Sequence, residues 1–349
     1  MEVVFQFAPY GQEFEPRPAT LVLDVGLKTV PGVIDHHQPE AEAECAASLV
    51  VKHPELVLTH LAEPEDRITL ITHRLPDFDA VSAIFLSLKL LELRKVDVAM
   101  RKIADYARMV DSATIPKNVE LSATPYGLLR ALFVNIQKPE EEANLERVQE
   151  GLRMLRLLYE QASLGRDIVA NRPIFQGIDR YQKAMHRVED DYFSYLEDLE
   201  KAELIQLYLP RSQGGQGLEL VDGMVVQNPK SFLLKEWARR DVFNSPLGRG
   251  FSFLLTNLGQ RRFIIGVDPE AGVNLRGLGR LLNRLEKEKR EKLGRPTGER
   301  WYEGNCPFFD YRIVDSPQDG PALNHQEILE AVFDYSRRIK SGEVGPEYV

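Results

Sequence analysis

Residues 66–95 read DRITLITHRLPDFDAVSAIFLSLKLLELRK. The first eight, DRITLITH, carry alternating and β-branched apolar residues, which predicts a strand. RLPDFD breaks that pattern. Pro76 keeps Leu75 out of the right-handed helical region, so the segment is a loop at the strand's carboxyl end. AVSAIFLSLKLLELRK (80–95) then predicts a buried helix. A short apolar strand leading into an apolar helix is the repeating unit of a parallel α/β sheet. Two runs upstream fit the same unit, ATLVLDVG (19–26) and GVIDHH (32–37), joined by a connection that Pro31-Gly32 closes. A helix over ECAASLVV (44–51) and a strand over VDVAMR (96–101) complete the expectation of an α/β domain with a doubly wound, mainly parallel sheet.

From residue 139 the periodicity changes. Leu145, Val148, Leu152, Leu155, Tyr159 and Ala162 recur at steps of three and four, and so do Ile178, Tyr181, Met185, Val188, Tyr192, Tyr195 and Leu199. Each set places an apolar stripe on one helix face and reads as a packed core or bridging helix. RSQGGQG (211–217) reads as a flexible linker. Beyond it, strands are expected at 218–226, 250–258 and 261–268, and helices at 231–240, 275–293 and 325–339. KEKREK (287–292) reads as the solvated face of a helix end. The expected organisation is an N-terminal domain over 1–205 that includes a helical connector (139–205), a linker over 206–217, and a smaller α/β C-terminal domain over 218–349.

At 349 residues the chain is long enough for two cores. Its 43% hydrophobic and 28% charged residues exclude a collagen-like, coiled-coil-only or largely disordered protein. With 44 Lys and Arg against 53 Asp and Glu, the formal charge of −9 argues against a grip on long double-stranded nucleic acid. Cys45 and Cys306 are the only cysteines, which excludes a disulfide framework and a CxxC knuckle. No apolar run approaches the roughly 18 residues of a spanning helix. The opening MEVVFQFAPYGQEFEP lacks a basic-then-apolar signal pattern. A cytoplasmic protein with no membrane partner is expected.

Few histidines occur, yet three fall beside acids at strand ends. His73, Asp77 and Asp79 form H-x-x-x-D-x-D between a strand and a helix, at the sheet edge where open α/β folds bind ligands. The plainer reading is a polar loop with Asp79 as helix N-cap. Asp35-His36-His37 ends the run GVI in the same way. A carboxylate beside imidazoles suits a divalent metal, and an imidazole off the metal serves as acid or phosphate ligand. An exposed polar loop end with one histidine satisfied by backbone is the alternative. Asp24 also ends a strand, or is a turn aspartate before Gly26.

Together these elements resemble the DHH family of phosphoesterases, which includes family II inorganic pyrophosphatases, exopolyphosphatases, single-strand exonucleases, and oligoribonucleotide or cyclic-dinucleotide phosphodiesterases. Asp35-His36-His37 matches the naming triplet. His73, Pro76, Asp77 and Asp79 match the motif of a histidine followed by P-D-x-D. Asp24 matches the lone strand-end aspartate, and Asp111-Ser112 in KIADYARMVDSATIP the fourth motif, with Asp105 as the weaker candidate. In most members the P-D-x-D motif comes first, whereas here Asp24 and the triplet precede it. A parallel sheet tolerates that permutation, because each motif rides at the end of its own strand. The family's glycine-rich substrate loop has its nearest match in Tyr302-Glu303-Gly304-Asn305-Cys306-Pro307, without the glycine run or the histidine. GVNLRGLGR (272–280) is similar to a substrate-binding helix entry, which makes Arg276 and Arg280 phosphate ligands or, on the plainer reading, surface arginines.

The resemblance implies a two-metal site. His73, Asp77 and Asp24 would hold one ion. Asp79, Asp24, His36 and Asp111 would hold the other, with Asp24 bridging. Mn²⁺ is favoured, and Mg²⁺, Co²⁺ or Fe²⁺ is compatible. His37 would contact the phosphate and protonate the leaving oxygen, and Asp35 would orient a histidine. The implied activity is hydrolysis of a phosphodiester in a small nucleotide or short oligonucleotide. Alternatives are hydrolysis of a phosphoanhydride, polyphosphate or pyrophosphate, and a non-catalytic metal- or nucleotide-binding regulator. A homodimer is compatible with either.

Overall fold

The apolar runs that end at Asp24, Asp35 and His73 become strands of one sheet. In a computed structural model, residues 2–62, 66–212, 217–259, 262–296 and 298–342 are described. The chain divides into two units, Met1–Asp190 with Cys306–Phe308, and Asp191–Asn305 with Phe309–Val349.

The strands of the first unit are β1 (Glu2–Ala8), β2 (Thr20–Leu23), β3 (Thr29–Val30), β4 (Val33–Ile34) and β5 (Arg67–His73), in the order β1-β5-β2-β4-β3. The pairs β1–β5, β5–β2 and β2–β4 are parallel; only β3 runs antiparallel, against β4. β5 is the last strand of this unit in sequence, yet it lies between the first two. The strand ends that carry Asp24, Asp35 and His73 are therefore three neighbours, β5-β2-β4, all pointing the same way.

Helices α1 (Ala46–Lys52), α2 (Glu55–Leu58), α3 (Phe78–Leu93), α4 (Val98–Asp111), α5 (Pro125–Phe133) and α6 (Glu140–Ser163) complete this layer. Every residue of α3 from Phe78 to Ser87 is buried, as its nearly unbroken apolar run requires. Gly151 of α6 lets the two helices approach closely, since a Cβ there would lie 2.8 Å from a methyl of Val81. The other sheet face packs Ala8, Val22, Val33 and Ile71 against Phe14 and Val25.

VDVAMR does not form a strand. Asp97 accepts the Met100 backbone N–H at 2.8 Å and starts α4, whose buried residues Ala99, Met100, Ile103, Ala104, Ala107 and Val110 share one face. Six residues of alternation were too few to show the longer helical period. The apolar stripes at 145–162 and 178–199 form α6 and α7 (Asp179–Lys201).

The second unit holds β6 (Glu203–Pro210), β7 (Leu218–Gln227), α8 (Leu234–Ala238), β8 (Phe253–Asn257), β9 (Phe263–Val267), α9 (Leu278–Lys292), β10 (Tyr302–Glu303), β11 (Ile313–Asp315) and α10 (His325–Ser341). Its sheet runs β10-β11-β9-β8-β7-β6 and is mixed, with only β7–β8 parallel. β6 and β7 pair from Glu203↔Val225 to Pro210↔Leu218, so 211–217 joins two strands of this unit rather than two domains. Residues 213–216 of that stretch lie outside the described residues. The expected helix over 231–240 shortens to Leu234–Ala238. No described helix is long and apolar enough to cross a membrane.

Candidate metal centre

The geometry starts with Asp24. It follows β2 in the left-handed region, at φ +61°, and its backbone N–H donates to the Ile34 carbonyl on β4 at 2.9 Å. Its two carboxylate oxygens then face different strands. Oδ2 is 3.1 Å from His73 Nε2, and Oδ1 is 3.2 Å from His36 Nε2. Each imidazole faces further carboxylates: His73 Nε2 lies 3.9 Å from Asp77 Oδ1, while His36 Nε2 lies 3.5 Å from Asp111 Oδ2 and 3.8 Å from Asp79 Oδ2. The result is three overlapping groups, each of which could hold a metal ion: Asp24, His73 and Asp77; His36, Asp79 and Asp111; and Asp24, Asp35, His36 and His37.

The second carboxylate layer fixes these side chains. Asp35 accepts the Leu27 backbone N–H at 2.7 Å on one oxygen. The other accepts the His36 backbone N–H at 2.8 Å and lies 2.7 Å from His37 Nδ1. Asp77 is the N-cap of α3, accepting from Ala80 N–H, so the cap falls on Asp77 and not on Asp79. Asp79 instead accepts the Ala46 and Ala47 N–H groups at 2.7 and 3.0 Å, at the start of α1. Asp111 is the last residue of α4 and joins the cluster; Asp105 is exposed on the same helix.

Two aromatic neighbours were not signalled by sequence. Tyr10 stacks on His73 at 4.3 Å, and Phe308 meets His36 edge-on at 5.0 Å. Tyr10 is near His73 because Ala8 pairs with His73 across β1 and β5, a register no local pattern reveals. Arg276 and Arg280 lie in the second unit, each beside a carboxylate of that unit. Arg276 Nη2 is 3.9 Å from Asp310 and its guanidinium lies over the Tyr311 ring, and Arg280 Nε is 4.0 Å from Glu303.

Asp24, Asp35, His36, His73 and Asp79 are all buried. Burial alone raises a carboxyl, but the His36 and His73 imidazoles beside it hold Asp24 well below the usual carboxylate range. Burial acts downward on His73 and is outweighed by Asp24 and then Asp77, which push it up to about 9. His36 is lowered, by burial and then by His37, against the pull of Asp24. Asp35 is lowered, its burial overcome by His37, and His37 is raised by Asp35 in return. Asp79 is pushed well above its ordinary value by burial and then by Asp24 and Asp77.

The donor set fits divalent cations. His73 Nδ1 donates to the Arg74 carbonyl at 2.8 Å, so its Nε2 faces Asp24 and that contact needs a proton or a metal. Asp24 Oδ1 is buried with no hydrogen-bond donor. Such a concentration of buried carboxylates is costly without a balancing charge. The nearby Cys45 thiol is driven far up by burial and by Asp79 and Asp111, so it stays protonated and the available donors are oxygen and imidazole nitrogen. No protein-family model matches the chain, and no curated protein matches it.

Proposed function

We propose that the chain is a two-metal phosphohydrolase of DHH type, acting on a phosphodiester in a small nucleotide or short oligonucleotide. One observation carries this reading: Asp24 turns one oxygen to His73 and the other to His36, and each imidazole faces its own further carboxylate. A shared carboxylate between two ligand sets is the arrangement that two neighbouring ions require. His73, Asp77 and Asp24 would hold one ion, and His36, Asp79, Asp111 and Asp24 the other. Bound there, two divalent cations, Mn²⁺ by the donor set, supply an activated water and neutralise charge at phosphorus.

The remaining residues act around them. Asp35 takes the Nδ1–H of His37 and leaves Nε2 to meet a phosphate oxygen and protonate the leaving group. Arg276 and Arg280, in the second unit, remain candidate phosphate ligands of that unit. The net charge of −9 favours a short substrate.

The test is metal content together with Mn²⁺-dependent hydrolysis of bis-p-nitrophenyl phosphate, a dinucleotide, pyrophosphate and polyphosphate. Two ions per chain with diester turnover are expected. His37→Ala should lower turnover about 10²–10⁴-fold with metal retained. Turnover confined to the anhydrides would move the substrate class. Bound metal with no turnover would make the protein a binding module, and no bound metal would overturn the reading.

A further inference from the structure

We propose that Asn144, on the helical connector, is a positioning residue for the candidate metal centre: it holds the Arg74–Leu75 peptide whose carbonyl fixes the ring of His73. The functional consequence rests on the two-metal reading above.

Asn144 is fully buried on α6. Its Oδ1 accepts the Leu75 backbone N–H at 2.9 Å and Arg147 Nη1 at 3.2 Å. Leu75 has φ +57°, left-handed, which a side chain with a Cβ adopts only when its surroundings hold it there. Leu75 is 43% exposed, so packing of the leucine does not supply that hold. Asn144 does, by taking the N–H. Arg74 Nε, 3.6 Å from Glu140 on the first turn of α6, ties the same loop to the same helix.

The other end of that peptide unit reaches the cluster. The Arg74 carbonyl accepts from His73 Nδ1 at 2.8 Å. In a trans peptide the N–H and C=O point in opposite directions, so anchoring one aims the other. With Nδ1 donating to Arg74, Nε2 is the nitrogen presented to Asp24. A chain of hydrogen bonds thus runs from Asn144 through one peptide plane to His73 and the shared carboxylate. Asn144 Nδ2, by contrast, is buried with no partner. Burying an unmet donor is costly, and a leucine of similar size would avoid it, so the acceptor side accounts for an amide here.

Two variants separate the roles. Asn144→Leu removes the acceptor, and Asn144→Asp keeps it beside Arg147. In metal-free protein, the His73 Nδ1–H signal in ¹⁵N-resolved NMR should persist in the wild type and Asn144→Asp and be lost to solvent exchange in Asn144→Leu. In Mn²⁺ titrations, Asn144→Leu should weaken one of two binding steps about 10–100-fold, and Asn144→Asp should restore it. The wild-type Leu75 amide should exchange slowly with deuterium despite its exposed side chain. Exchange at the rate of a free loop overturns the proposal, as does a folded Asn144→Leu with an unchanged His73 signal and both Mn²⁺ steps intact. If both steps weaken equally in both variants, Asn144 is merely structural and the proposal fails. Should Asn144→Leu not fold, the wild-type Leu75 exchange decides. A wild type that binds no Mn²⁺ sinks the two-metal reading, while the ring signal and the amide exchange still decide the role of Asn144.

Discussion

Asp24 and Asp191 are both buried acids, and they are satisfied in opposite ways. Asp191, on α7, accepts from the Ser231 hydroxyl, the Phe232 and Leu233 amides and the Trp237 indole, at 2.8 to 3.1 Å. Its neighbour Asp198 takes the Lys230 and Ser231 amides. Every one of those donors is neutral and comes from the chain segment the acids hold in place. Asp24 faces imidazole nitrogens that other carboxylates also face, and one of its oxygens has no donor. Burial of an acid is therefore a poor sign of function; what meets its oxygens is a good one.

That contrast can be broken at several points. The largest effect is expected at Asp24. With free Mn²⁺ a thousandfold above its Kd, binding adds about 4 kcal/mol to unfolding stability per site. Asp24→Asn should abolish this Mn²⁺-dependent rise in denaturation midpoint, read by calorimetry. Asp191→Ala should behave oppositely. It strands several buried donors and lowers stability by about 3 kcal/mol with or without Mn²⁺, leaving metal stoichiometry at its wild-type value. If Asp191→Ala removed the metal response, the distinction drawn between the two acids would be wrong.

A smaller effect follows from pH. With His73 pushed up to about 9, its proton stabilises the metal-free fold fully below the ordinary histidine value and ceases to do so as pH rises through 9. Metal must displace that proton, so Mn²⁺ affinity should climb from pH 7 to about 9, by up to about 1.4 kcal/mol per pH unit. A flat affinity over this range would remove His73 from the site. The smallest effect belongs to Asp105. Asp105→Ala should change stability by less than about 0.5 kcal/mol and leave Mn²⁺ titrations untouched, while Asp111→Ala weakens one binding step.

The strand-end acids were legible because chemistry and sheet edge coincide in the sequence: an apolar run stops, and Asp24, Asp35 or His73 stands at the stop. Asp111 was legible only through family resemblance, in which the following Ser112 favours it over Asp105; the course of α4 places Asp111 at the cluster and leaves Asp105 exposed. β1 went unread, because its residues pair with β5, more than sixty positions away, and only that register puts Tyr10 over His73. Asn144 was hidden by its neighbour. The apolar periodicity of α6 runs through Leu145, which is exposed, whereas Asn144 faces inward to a peptide 69 residues distant. Glycines between β6 and β7 look like those of a linker between domains, yet the segment that holds them joins two paired strands of one sheet.

The position of β5 also has a consequence for how the chain is made. β1 and β2 share no hydrogen bonds with each other; each pairs with β5. As synthesis proceeds from the N-terminus, a nascent chain ending before Arg67 holds the two outer members of a three-strand set and lacks the middle one. Its pairings are all distant in sequence, the kind that form slowly. Asp24 waits for the same strand, since His73 is its last residue. Completion of the sheet and the meeting of Asp24 with His73 are thus one event, and a chain stalled short of β5 presents neither; Asp77, Asp79 and Asp111 join only as the chain beyond β5 emerges.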